Sequence, residues 1–76
     1  MNLSQLAINV RNIIGHEDSY RVSTDTTVVI FDYHHTRIDL TDLAKLSAAL
    51  DGSGWDVTVR AIRESETPYI RFTFIR

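Results

Sequence analysis

Cysteine is absent from all 76 residues, so neither a disulfide nor a thiolate metal site can staple the fold. A chain of this length buries only about 60% of the surface that its unfolded form exposes. Its stability must therefore come from packing, helped by a partner or by self-association. Proline occurs once, at Pro68, and glycine only at Gly15, Gly52 and Gly54. All four fall between candidate elements, where turns are wanted, which fits a single domain over residues 1–76 with no linker, repeat or low-complexity tract. No apolar run approaches the ~20 residues needed to cross a bilayer. The opening Met1-Asn2-Leu3-Ser4-Gln5 lacks the basic region and apolar block of a secretory signal, so a cytoplasmic location is expected.

An excess of positive charge is missing as well. Ten acidic against eight basic residues give a net charge of −2, which argues against an ordinary nucleic-acid binder. What positive charge there is comes from arginine: Arg11, Arg21, Arg37, Arg60, Arg63, Arg71 and Arg76 stand against Lys45 alone. Arginine suits planar, bidentate contact with carboxylate or phosphate, although GC-rich codon usage produces the same skew. The apolar fraction of 43% is close to that of folded domains and excludes intrinsic disorder.

Periodicity supplies the elements. Leu3, Leu6, Ala7, Val10, Ile13 and Ile14 recur at helical spacing, with Asn2 or Ser4 as cap and Gly15 as terminator; Ile8 is the apolar residue out of place. The polar run Gly15 to Ser19 reads as a loop and Tyr20-Arg21-Val22-Ser23 as a short edge strand. Val28 to Tyr33 begins with an unbroken apolar run, as a central strand covered on both faces would. His34-His35-Thr36 reads as a hairpin loop into a return strand Arg37-Ile38-Asp39-Leu40, with Ile38 and Leu40 inward; the alternative is that these residues are loop before the next helix. A second helix follows over Thr41 to Leu50, capped by Thr41 and burying Leu43, Leu46, Ser47 and Leu50. Trp55 to Arg63 and Tyr69 to Arg76 alternate at period two around a polar turn, which is a hairpin with Trp55, Val57, Val59, Ala61, Ile70, Phe72 and Phe74 inward. The order α-(β)-β-β-α-β-β makes an α+β domain, with two helices on one face of a mainly antiparallel sheet of three to five strands.

Helices on one side leave the other face of the sheet open. Thr58, Arg60, Ile62, Tyr69, Arg71, Thr73 and Ile75 alternate onto that face, and the middle hairpin would add Arg37 and Asp39. Arginine, tyrosine and isoleucine gathered in a patch have the composition of a protein interface. The expected binding residues are Arg60, Arg71, Tyr69, Ile62, Ile75 and Arg37, and the edge strands offer a second route through strand addition. Arginine and threonine are also ordinary residues of solvated strands. The same face could bind single-stranded nucleic acid by stacking bases on Tyr69 and holding phosphates with arginine, against the sign of the net charge.

Catalytic signals are few. Asp32, His34 and His35 come nearest to a metal or acid–base cluster, but on a strand His35 points away from the other two, so Asp18 or Asp39 would have to complete a site. His16-Glu17-Asp18 matches no metal spacing, and neither a nucleophile elbow nor a phosphate-binding glycine loop is present. A cleft of the ~300 Å³ that ligands need is not expected in so small a domain. No metal or cofactor is expected, and a metal-dependent enzyme would need a site formed between protomers. The size and lone-domain form resemble those of accessory proteins of phages and mobile elements, a likeness that no motif carries. The expected function is that of a small regulatory or adaptor module that works by protein–protein contact and self-associates, rather than an enzyme.

Overall fold

The structure, a computed structural model, describes residues 1–15, 19–35 and 37–76. Six elements follow in the order α1 (Leu3–Ile14), β1 (Ser19–Val22), β2 (Val28–Tyr33), α2 (Leu40–Leu50), β3 (Asp56–Ile62) and β4 (Tyr69–Ile75). The strands form one antiparallel sheet in the spatial order β1-β2-β4-β3. This is the α+β arrangement that the apolar pattern calls for.

Local chemistry explains α1 at both ends. Asn2 and Gln5 form a reciprocal capping box, each side chain meeting the other residue's backbone N–H at 2.9 Å. Gly15 ends the helix at φ +96°, a conformation that costs a glycine nothing, and its N–H donates to the Arg11 carbonyl. Leu6, Ala7 and Val10 are buried, Leu3, Ile13 and Ile14 lie beside the core, and Ile8 is exposed.

Register fixes the two faces of the sheet, because directly paired residues share a face. On the helix side Tyr20 pairs with Phe31, Phe31 with Phe72, and Phe72 with Val59. Phe31, Phe72 and Phe74 are fully buried, and Phe31 meets Phe74 edge-on at 5.5 Å between ring centres. Around them gather Leu6, Val10, Val29, Leu46, Leu50, Trp55 and Ile70. At one end of this core the Trp55 indole N–H donates to the Met1 carbonyl at 3.0 Å, which ties the start of α1 to the start of β3.

Four expectations are corrected. Residues Arg37 to Leu40 form no strand: β2 already has β1 on one side and β4 on the other, so no edge is left for a return strand to join. Leu40 is instead the first residue of α2 and is 83% exposed, while Ile38 does pack against the core. Asp39, not Thr41, occupies the N-cap, and its side chain makes no capping hydrogen bond. Ser47 is exposed, so the buried stripe of α2 narrows to Leu46 and Leu50 with Leu43 beside them. Val59 and Ala61 lie on the helix side as expected, yet both are exposed, because β3 is an edge strand flanked on one side only. The expected loop residues His16, Glu17, Asp18 and Thr36 lie outside the described residues.

Candidate protein interface on the open sheet face

The face away from the helices is laid out in rows by the same register. Arg21, Ile30, Thr73 and Thr58 form one row across the four strands. Asp32, Arg71 and Arg60 form the next across β2, β4 and β3, and Tyr69 pairs with Ile62 beyond them. Val28, Ile75 and Asp56 close the other end. Five of the six expected binding residues, Arg60, Ile62, Tyr69, Arg71 and Ile75, therefore share one face. Arg37 does not join them on the sheet; it sits in the segment between β2 and α2.

Asp32 organises the middle of the face. It is only 5% exposed although it lies on the side that the helices leave open. Arg71 covers it, donating from Nε to Oδ1 at 2.8 Å and from Nη2 to Oδ2 at 3.2 Å, and Arg21 adds Nη2 to Oδ2 at 3.3 Å. A buried carboxylate without such partners would carry a large desolvation cost. The bond to Asp32 raises the Arg71 pKa further above its ordinary value. Arg71 Nη2 also reaches the Tyr69 hydroxyl at 2.9 Å, and the Tyr69 ring lies 4.9 Å from that of His34. The result is a continuous chain Arg21–Asp32–Arg71–Tyr69–His34 across three strands and the loop after β2.

This arrangement reassigns the residues. Arg71 and Tyr69, expected as partner contacts, are committed largely to the protein's own structure. Asp32, a candidate metal or acid–base residue, is an anchor for arginine. His34 and His35, in the loop after β2, diverge, His34 onto Tyr69 and His35 onto the Tyr33 ring at 4.3 Å. Among the described residues no three histidine or acidic side chains converge in a way that could hold a metal ion. Arg21 was passed over in sequence, although an aspartate at an outward position of a central strand is a signal that a cation must lie on a neighbouring strand.

What is left for contact lies at the β3 side. The Arg60 side chain is 70% exposed and, among the described residues, bears a 3.6 Å ion pair with the equally exposed Glu64, an interaction worth little in water. Ile75 is 46% exposed and Ile62 half-buried. Charge on this face runs against that of the chain. Its charged residues are Arg21, Arg60 and Arg71 with Asp32 and Asp56, whereas Asp25, Asp39, Asp42, Asp51, Glu64 and Glu66 lie in loops and in α2.

The helix side has an open groove of about 660 Å³ between the end of α2 and the start of β3, lined by Ser47, Leu50, Asp51, Trp55, Asp56 and Val57. It is larger than the size of the chain suggests. Among the described residues, no helix is long and apolar enough to cross a membrane. Comparison with known protein families, curated proteins and solved structures gives no match to this chain.

Proposed function

We propose that the chain is a small protein-binding module that docks on its partner through the open face of the sheet, with Arg60, Ile62 and Ile75 as contact residues. Tyr69 and Arg71 hold that face in shape and border the contact. The observation that carries this reading is the one-sided cover of the sheet. Both helices pack on one face, and the other presents arginine, tyrosine and isoleucine in adjacent rows with its one buried charge already paired. Such composition is typical of interface centres. The partner is a protein that brings carboxylates to meet Arg60 and apolar side chains to cover Ile62 and Ile75, and the proposed setting is the cytoplasm.

A single-stranded nucleic-acid platform is supported less well. It needs aromatic rings open for stacking, and the Tyr69 ring already faces His34 while its hydroxyl holds Arg71. The reading is tested by capture on the immobilised chain from nuclease-treated extract of cells that express it. A protein retained by the wild type and lost by the Ile62→Asp/Ile75→Asp variant is the expected result. Retention that disappears with nuclease, or tight binding of a single-stranded oligonucleotide that weakens steeply with salt, would replace the protein partner with nucleic acid.

A further inference from the structure

Two strands form the edges of the sheet, and only one of them is guarded. β1 is four residues long, and a short strand is a poor template for a further one. β3 is seven residues long and pairs with β4 without a break from Asp56–Ile75 to Ile62–Tyr69. Its other side therefore offers an uninterrupted row of backbone N–H and C=O groups. Edge strands are usually blunted by proline, by charged side chains such as lysine, by a bulge or by an inward-pointing charge. Asp56-Val57-Thr58-Val59-Arg60-Ala61-Ile62 has no proline, lysine, bulge or inward-pointing charge, and its two charged side chains, Asp56 and Arg60, are outward and of opposite sign. On its helix side Val59 is 39% exposed, Ala61 is exposed and Val57 is half-covered.

We propose that this edge pairs with the same edge of a second copy, antiparallel about a two-fold axis through Thr58, so that two sheets become one. The occupant is identified by charge and register. An axis lying between residues would oppose inward valines to outward threonine or arginine and place the two helix layers on opposite faces. Of the axes that pass through a residue, one at Asp56 or at Arg60 sets that charge against its own copy, which is repulsive. An axis at Val59 opposes Asp56 to Ile62 and Thr58 to Arg60, while one at Val57 leaves Arg60 with no strand residue opposite. The axis at Thr58 sets Asp56 against Arg60 of the second copy, twice by symmetry. It also pairs Val57 with Val59 on the helix side and Thr58 with Thr58 on the outer side. Every opposed pair of strand residues is then complementary, and Val59, exposed in one copy, meets the half-covered Val57 of the other.

Arg60 would exchange its solvent-exposed contact with Glu64 for Asp56 of the second copy; the Glu64 carboxylate keeps its bond from the Arg63 N–H at 3.1 Å. The pairing does not rest on the docking proposal, because it uses the edge of β3 and leaves Ile62, Tyr69 and Ile75 on an outer face made twice as wide.

The test is the mass in solution, by light scattering over a concentration series, for a set of charge exchanges. The wild type is expected at twice 8.7 kDa. Asp56→Arg alone puts arginine opposite arginine, and Arg60→Glu alone puts glutamate opposite aspartate. Each should raise the dimer dissociation constant roughly tenfold to a hundredfold, since attraction becomes repulsion at two places. The combined D56R/R60E variant restores both pairs and should dimerise again. Circular dichroism shows which variants are folded, and any two of the three charge variants suffice. The proposal is overturned by a wild type that is monomeric at every concentration, by a single exchange that dimerises like the wild type, or by a folded double exchange that stays monomeric.

Discussion

Asp32 carries a formal charge in the central strand of a small sheet, and the cost is met by two arginines on either side of it. The three side chains differ in exposure: that of Asp32 is buried, that of Arg71 is 29% exposed and that of Arg21 56%. That difference predicts an asymmetry. Arg71→Ala leaves a buried carboxylate with only Arg21, and should lower stability by about 2–3 kcal/mol. Asp32→Ala leaves two guanidiniums that can turn to water, and should cost about 1 kcal/mol. Urea unfolding of the two single variants and the double variant measures both values and their coupling; equal losses would contradict this account. Arg71→Lys should not restore the wild type, because lysine cannot make the two-pronged contact. The alternation of β4 was enough to put Arg71 on the outer face. What it could not show was that Arg71 is taken: its partner Asp32 is 39 residues away, and only pairing of β2 with β4 brings them together.

At the scale of elements, the β1–β2 hairpin shows how a turn is held without glycine. Ser23 to Thr27 form the turn, in which Asp25 accepts from the Ser23 hydroxyl at 2.7 Å and from the Thr27 hydroxyl and N–H at 2.7 and 3.2 Å. Thr26 takes a positive φ of 59°, a strained choice for a β-branched residue, and its hydroxyl receives a bond from Arg76 at 2.9 Å. The bonds from Thr27 first, then Ser23, lower the Asp25 pKa from 3.8 to about 2. A lowered carboxylate pKa stabilises the fold in full above the unfolded value and loses that contribution as the pH falls through the folded value. Asp25→Ala should therefore melt below the wild type at neutral pH, and the gap should close as the pH drops from about 4 to about 2. Melting curves over that range check it; a gap independent of pH would show that the charge of Asp25 is not what matters. Helix α1, with its cap, its spacing and its terminal glycine, was legible almost residue by residue, because every one of those signals is local. The start of α2 was not. Arg37-Ile38-Asp39-Leu40 alternates as a strand would, and what prevents one is that both sides of β2 are occupied.

For the molecule as a whole, the strand order puts β4, the last strand in the chain, between β2 and β3, and so fills the centre of the sheet with Ile70, Phe72 and Phe74. The edge position then falls to β3, whose Val59 the helices leave exposed and whose Val57 they half cover. If β3 pairs with a second copy, folding and association are linked, and the melting temperature should rise with protein concentration in the wild type and in D56R/R60E, while in Arg60→Glu the rise should set in only at higher concentration. Calorimetry over a hundredfold range of concentration tests this, and a wild-type melting temperature that stays constant would speak against the dimer. The sequence by itself determined the class of fold, the positions of the helices and of the last hairpin, and the alternation that sorts Arg60, Ile62, Tyr69, Arg71 and Ile75 from the core, since period and punctuation are properties of neighbouring residues. Only the tertiary structure decided that β4 is central and β3 an edge, that Asp32 binds Arg71 and Arg21, and that Val59 and Ala61 stay uncovered. Those facts depend on contacts between residues far apart in the chain, and alternation in one strand carries no information about which strand lies beside it.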